Sequence, residues 1–198
     1  MKAQIQCRYG SERGWVRLAL ADLEHLAGRL GPYTTDVDLA RVHRFVFVCL
    51  GNICRSPYAE LLAHRAGLPC ASLGLSTTTG APAFEDAVAT AAARGADLSA
   101  HRATDMADFD LRDGDLLLVM EVRQARRLAA LLGEHDVQIA LLGAYAKPRR
   151  LHIHDPHQLS MDYFATCFEV IESAVAGLAA AYCQARPAAG AASEGCSR

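Results

Sequence analysis

The chain has 198 residues, 52% hydrophobic and 21% charged, and this composition excludes a disordered or fibrous protein. Its formal net charge of −2 excludes a general attraction to nucleic acid or anionic membranes, so any anion site must be local. Seven irregularly spaced cysteines without a Cys-x-x-Cys pair argue against both a disulfide framework and a zinc site. We therefore expect one main domain in a reducing, cytoplasmic environment.

The first 43 residues are predicted to hold one amphipathic helix outside the main domain. Residues 12–30 place large apolar side chains at near-helical spacing: Trp15, Leu18, Leu23, Leu26 and Leu30. We expect these side chains to pack on the domain, within one chain or across a homodimer, and a helix that docks a partner is the alternative. We expect no leader peptide, and no window approaches the ~20 apolar residues that a membrane helix needs.

From residue 44 onward, short apolar runs alternate with helical patterns. Strands are predicted at about 44–49, 71–73, 115–120 and 137–142, and helices at about 56–66, 85–94, 121–133 and 161–182. This alternation predicts a mostly parallel sheet with helices on both faces. The organisation is then an extension at 1–43, a domain at 44–183, and a tail at 184–198 whose small, unpatterned residues predict disorder.

The loop CLGNICRS, residues 49–56, has the composition of an oxyanion site between a strand and a helix. Unpaired N–H groups and the positive end of a helix dipole bind anions and lower the pKa of a nearby thiol. Arg55 adds a fork of donors that matches phosphate geometry. Gly51 and Asn52 are the residues most able to adopt left-handed backbone angles. We predict an oxyanion cradle with the Cys49 thiolate at its base, and an ordinary turn is the alternative.

Five strings of the sequence, in order, resemble the low-molecular-weight protein-tyrosine phosphatases. They are CLGNICRSPYAE, ASLGLSTTTGAP, DLSAHRA, DLLLVME and IHDP, spread over about residues 44–183. The resemblance implies a three-layer α/β/α fold with a four-stranded parallel sheet in the flavodoxin-like order 2-1-3-4, plus the extra N-terminal helix. It also implies an enzyme without metal or cofactor that acts on phosphotyrosine in proteins. Bacterial relatives act on tyrosine kinases of capsule and exopolysaccharide synthesis, which suggests such a kinase as partner.

The resemblance also assigns roles to residues by position. Cys49 is the nucleophile that forms a phosphocysteine, Arg55 clamps the phosphoryl oxygens, and Asp155 protonates the leaving oxygen and then activates water. Ser56 assists the departure of the thiolate. The remaining residues supply backbone amides or hold the loop in shape: Leu50, Gly51, Asn52, Ile53, Cys54, Ser72 and His101. On composition alone, three other acids compete with Asp155: Asp110, Asp113 and Asp162.

Several positions depart from the family pattern. His157 stands where the acid loop usually has an aromatic wall for the phosphotyrosine ring, and Phe84 or Tyr163 are candidates to compensate. Thr104 replaces an arginine that the family often has. Ile53 argues against phosphoarginine, because members selective for it tend to have threonine there. Phosphotyrosine is therefore the preferred substrate.

Other functions remain open. One is a non-enzymatic phosphoanion-binding regulatory module in which the N-terminal helix carries the function. Another is an arsenate-reductase-like thiol oxidoreductase, but that class needs a resolving cysteine pair and no cysteine lies between Cys70 and Cys167. A protective Cys49–Cys54 disulfide is a further hypothesis. A metal site at histidines 152, 154 and 157 is not favoured, since no second cluster of ligands is evident.

Overall fold

The centre of the molecule is one parallel sheet of four strands in the order β2-β1-β3-β4. The computed structural model describes residues 2–133 and 135–186. The strands are β1 Arg44–Cys49, β2 Cys70–Gly74, β3 Asp115–Val119 and β4 Gln138–Leu141. The predicted three-layer α/β/α class and its strand order are confirmed.

The described residues form six α-helices: α1 Lys2–Tyr9, α2 Glu12–Leu26, α3 Arg55–Arg65, α4 Glu85–Ala93, α5 Val122–Leu131 and α6 Met161–Ala185. The sequence did not predict α1, because this helix is polar and buries none of its residues, so it carries no hydrophobic period. Helix α6 runs past residue 183 into the segment predicted as a tail. The rest of that segment, 187–198, lies outside the described residues.

Two apolar layers cover the two faces of the sheet. Phe45 and Phe47 of β1 pack in the layer that contains α3, α4 and α6, whereas Val46 and Val48 pack in the layer that contains α5. Successive side chains of a strand point to opposite faces, so a strand buried on both faces reads as a continuous apolar run. Because all four strands are parallel, their carboxyl ends meet at one edge, where the loop after β1 begins.

Helix α6 corrects the expectation that no segment is apolar enough to cross a membrane. By length and composition this helix, Met161–Ala185, would be sufficient. Its apolar residues, however, are core residues of one layer: Tyr163, Phe164, Cys167, Phe168, Ile171, Ala174, Val175 and Leu178 are buried. Packing against the sheet thus accounts for the apolar composition of α6.

Helix α2 contacts the domain through small residues instead of the large ones expected. The buried residues of α2 are Gly14 and Ala21. A Cβ atom at Gly14 would lie 2.9 Å from the ring of His154, so only glycine permits this close approach. Of the five side chains predicted to pack, Trp15, Leu23 and Leu26 are exposed by 48%, 63% and 80%. Leu18 is half-buried, and Leu30, which lies beyond the end of α2, is buried in the core as predicted. The expected packing of Trp15, Leu23 and Leu26 within one chain is therefore wrong, whereas their packing across a homodimer stays a prediction.

Candidate active site

The loop after β1 surrounds the thiol of Cys49 at the carboxyl edge of the sheet. Cys49 ends β1 and is buried. Its Sγ atom accepts hydrogen bonds from Asn52 N at 3.2 Å and from the Ser56 hydroxyl at 3.1 Å. Helix α3 begins at Arg55, which brings the positive end of its dipole to the same loop. These donors stabilise a thiolate, the nucleophilic form of cysteine.

Two residues, Asn52 and Gly74, determine the backbone shape of the loop after β1 and how closely it approaches β2. Asn52 has a φ of +50°, whereas Gly51 is not among the residues with positive φ, so the expectation of left-handed angles holds for Asn52 and is wrong for Gly51. Asparagine tolerates this region because its short polar side chain bonds locally. Gly74 ends β2, and a Cβ there would lie 3.0 Å from Leu50 O. The glycine therefore lets the loop lie directly against β2.

A hydrogen-bond network centred on Asn52 holds the loop. Its Nδ2 donates to Ser56 Oγ at 2.9 Å and to Ser72 Oγ at 2.8 Å. Ser72 in turn donates to the Glu60 carboxylate at 2.6 Å. His101 Nε2 lies 2.8 Å from the carbonyl oxygen of Asn52, which can only accept, so this nitrogen carries the hydrogen. The structure thus brings Asn52, Ser72 and His101 together.

The backbone of Thr104 completes this network. Its N–H donates to Asn52 Oδ1 at 2.8 Å. Because the donor is a main-chain group, the replacement of the family's arginine by threonine leaves this bond in place.

The guanidinium of Arg55 is buried and held by three acceptors. Nη1 donates to Glu121 Oε1 at 3.0 Å and to Ile153 O at 2.9 Å, and Nη2 pairs with Asp155 Oδ2 at 2.7 Å. Burial alone would lower the pKa of Arg55, but the neighbouring Asp155, Cys49 and Glu121 raise it, so the side chain is always charged. Its buried Nε–H has no hydrogen-bond partner among the described residues. A phosphate oxygen would satisfy this donor.

Glu121 orients Arg55, and the sequence analysis did not single it out. Burial alone would raise the pKa of Glu121, but Arg55 and Arg123 lower it to about 2, so it is a carboxylate near neutral pH. Removing one partner of a buried ion pair, such as Arg55 and Glu121, typically lowers the free energy of unfolding by about 3–5 kcal/mol. The position of Glu121 in the sequence does indicate a role at the site. This residue closely follows β3, a buried strand beside β1, and ligands bind at that edge of such sheets.

Asp155 is the aspartate that the structure places beside Arg55. Its side chain is 31% exposed, so the carboxylate that pairs with the guanidinium is also accessible to solvent. The competing acids lie elsewhere: Asp110 pairs with Arg112, Asp113 precedes the amino end of β3, and Asp162 accepts from the thiol of Cys7. The position predicted for the acid is thus next to the predicted phosphate clamp.

An aromatic pair lies at the rim of the site. The rings of Phe84 and His157 meet edge to face with centroids 4.5 Å apart. Phe84 N donates to Ile53 O at 2.9 Å, which ties this pair to the loop. Tyr163 is buried and donates its hydroxyl to His154 O at 3.1 Å, so it does not line the opening. Of the two residues expected to compensate for His157, Phe84 contacts its ring and Tyr163 does not line the opening.

The remaining thiols and histidines near the site are kept neutral by burial. Burial raises the pKa of Cys54, and no disulfide joins Cys49 to Cys54 in this structure. Burial lowers the pKa of His152 to about 4 and also lowers that of His154. Within 2–133 and 135–186, no group of three or more His, Cys, Asp or Glu residues is arranged to hold a metal ion.

The chain matches a known family over most of its length. The family model described as low molecular weight phosphotyrosine protein phosphatase matches residues 44–187. A probable low molecular weight protein-tyrosine-phosphatase, EpsP, of Ralstonia solanacearum is 32% identical over 136 residues, 68% of this chain and 92% of that protein. The low molecular weight protein-tyrosine-phosphatase Wzb of Escherichia coli K12 is 33% identical over 132 residues, 66% of this chain and 88% of that protein.

Solved structures agree with this match. The tyrosine phosphatase AmsI of Erwinia amylovora has a TM-score of 0.62 at 31% identity, covering 71% of this chain and 93% of that chain. Wzb from Escherichia coli K30, solved in complex with sulphate, has a TM-score of 0.62 at 27% identity, covering 71% of this chain and 98% of that chain. The chain therefore belongs to the low molecular weight phosphotyrosine protein phosphatase family and is an enzyme of that class.

Proposed function

We propose that the chain hydrolyses phosphotyrosine in proteins in two steps, with Cys49 as the nucleophile. The observation that carries this proposal is the Cys49 sulfur held by two donors in the same loop as Arg55, whose buried Nε–H is left to bind an oxyanion. In the first step the thiolate attacks phosphorus and the bond to the tyrosine oxygen breaks. Asp155 gives its proton to that oxygen, and a phosphocysteine forms.

In the second step water hydrolyses the phosphocysteine. Asp155, now a carboxylate, takes a proton from the attacking water, and phosphate leaves as the Cys49 thiolate returns. The Ser56 hydroxyl, 3.1 Å from the sulfur, stabilises the departing thiolate. Backbone amides of residues 50–55 and the Arg55 guanidinium stabilise the charge of the transferring group, a task that cations perform in metal-dependent phosphatases. The network of Asn52 keeps this cradle in shape.

Binding of the phosphoryl group also frees the acid. Asp155 pairs with Arg55 Nη2 at 2.7 Å, and the phosphoryl oxygens compete for the same guanidinium. When they bind, the carboxylate of Asp155 loses this partner, takes up a proton from water and becomes available to the leaving oxygen as an acid. The ion pair thus couples substrate binding to the release of the acid.

The aromatic pair at the rim supports phosphotyrosine as the substrate. We expect Phe84→Ala to lower kcat/KM for a phosphotyrosine peptide by about 3- to 10-fold, because an aromatic contact contributes about 0.5–1.5 kcal/mol. The aliphatic substrate β-glycerophosphate should be hydrolysed equally by both proteins. Steady-state kinetics on the two substrates test this, and an equal loss on both would show that Phe84 does not contact the leaving group.

We also propose that the enzyme acts in the cytoplasm on a bacterial tyrosine kinase of exopolysaccharide synthesis. The support is the resemblance to bacterial members that act on such kinases. Asp155→Ala keeps the cradle that binds the substrate, so it is the variant to use in a substrate-trapping pull-down from the source cells. Recovery of a tyrosine-phosphorylated kinase would support the proposal, and recovery of unrelated phosphoproteins alone would contradict it.

The exposed face of α2 supports a homodimer. Its large apolar residues lie within an arc of about 140° around the helix, opposite the buried Gly14 and Ala21. They are Trp15, Val16, Leu20, Leu23 and Leu26. Apolar patches of this kind usually mark interaction sites. We propose that a second copy of the chain covers this face.

The dimer can be tested by charge substitution. We expect light scattering after gel filtration to give twice the monomer mass for the wild type, and the monomer mass for the double variant Leu23→Asp/Leu26→Asp. Met161→Asp, which changes another exposed apolar residue outside α2, should remain dimeric. A monomeric wild type would contradict the proposal.

A further inference from the structure

A line of polar contacts joins the N-terminal extension to the phosphate clamp. Ser11 Oγ lies 2.9 Å from His154 Nε2, and His154 Nδ1 lies 3.3 Å from His152 Nε2. His152 Nδ1 lies 3.9 Å from Glu121 Oε2. Glu121 in turn accepts a hydrogen bond from Arg55 at 3.0 Å. Ser11 lies outside the region that the family model matches, so this line connects the extension to the catalytic domain.

Donation from Ser11 towards Glu121 gives this line one consistent arrangement of hydrogens. Ser11 Oγ accepts a hydrogen bond from Gly14 N at 3.0 Å, and in this arrangement its hydroxyl hydrogen is donated to His154 Nε2. A neutral imidazole has one N–H, so the hydrogen of His154 lies on Nδ1 and is donated to His152. The hydrogen of His152 then lies on Nδ1, towards the carboxylate of Glu121. This last contact, at 3.9 Å, is longer than a hydrogen bond and acts through charge alone.

His154 is also held by close packing, and it directly precedes the acid. Gly10 has a φ of +76°, and a Cβ there would lie 2.8 Å from the His154 ring. The hydroxyl of Tyr163 donates to His154 O at 3.1 Å. With its side chain and carbonyl both held, His154 determines where the backbone presents Asp155, whose carboxylate reaches Arg55 at 2.7 Å.

We infer that Ser11 is a positioning residue for the phosphatase reaction, which donates to His154 and thereby holds the general acid Asp155 in place. The inference rests on the proposed two-step mechanism. It gives the N-terminal extension a role in the chemistry of its own chain. The extension then serves as a fixed support of the acid loop, residues 152–158.

The test compares two substrates that differ in their need for an acid. Phenyl phosphate has a poor leaving group and p-nitrophenyl phosphate a good one, and kcat/KM reports the steps up to the departure of that group. We expect Ser11→Ala to lower kcat/KM for phenyl phosphate by on the order of 10-fold, and for p-nitrophenyl phosphate by less than about 2-fold. A change in the amount of folded enzyme would lower both values equally.

Two further variants separate this role from the capping of α2 by Ser11. Ser11→Thr keeps both the cap and the hydroxyl donor and should restore the wild-type ratio of the two substrates. Ser11→Asp keeps the cap acceptor but has no hydrogen to donate, so it should show the selective loss. Imidazole ¹⁵N spectra should show the Nδ1–H form of His154 in the wild type and its loss in Ser11→Asp.

The outcomes are distinguishable. Equal losses on both substrates in Ser11→Ala, or a wild-type ratio in Ser11→Asp, would overturn the positioning role. Failure of the proposed mechanism would appear differently, as an Asp155→Asn variant that hydrolyses both substrates like the wild type.

Discussion

Replacement of Cys49 by serine is expected to abolish the hydrolysis of both p-nitrophenyl phosphate and a phosphotyrosine peptide. Loss of a catalytic nucleophile typically costs on the order of 10⁴- to 10⁶-fold in rate. Serine has nearly the same shape, but its alkoxide is not accessible near neutral pH, so the donors from Asn52 and Ser56 would have no thiolate to stabilise. The fold should be retained, since the exchanged atom is similar in size.

The measurement is steady-state turnover together with mass spectrometry of rapidly quenched enzyme. The wild type should carry a transient phosphoryl group on the peptide that contains Cys49. Cys183→Ser is the matched control, because Cys183 is an exposed thiol on α6 that lies outside the site. A Cys49→Ser variant that keeps more than about one hundredth of the wild-type rate would show that another group is the nucleophile.

Asp155→Asn is expected to have the second large effect, and that effect should depend on the leaving group. A positioned general acid contributes on the order of 10²- to 10⁴-fold, so kcat/KM for phenyl phosphate should fall by this factor. Asparagine has the same shape but cannot give a proton to the phenolate. p-Nitrophenolate leaves with little protonation, so kcat/KM for p-nitrophenyl phosphate should fall much less.

The control variants for this prediction come from the competing acids. Asp113→Asn and Asp162→Asn change carboxylates that the structure places away from Arg55, and both should keep the wild-type kinetics. If either of them shows the loss that depends on the leaving group, the assignment of Asp155 as the acid is wrong. Thermal unfolding of each variant checks that the differences do not come from stability.

The sequence alone indicated the sheet and the oxyanion loop, because both are encoded by neighbouring residues. Each strand buried on both faces appears as a short apolar run, and the alternation with helical patterns leads to a parallel sheet. The loop from Cys49 to Ser56 is contiguous, so its thiol, arginine and turn residues could be read together. Asp155 is different, since the resemblance and not its local pattern distinguished it from the other acids.

Only the tertiary structure showed what holds the site from outside the loop. Arg55 and Glu121 are 66 positions apart, and Ser11 and His154 are 143 apart, and no local pattern pairs residues at such distances. The apolar period of α2 likewise indicated a helix but not its contact face. That face was decided by where Gly14 leaves room for the His154 ring, which is a property of two packed surfaces. The thiol and the phosphate clamp are therefore encoded by neighbouring residues, whereas the acid and the contacts that support the loop join them only when distant segments pack together.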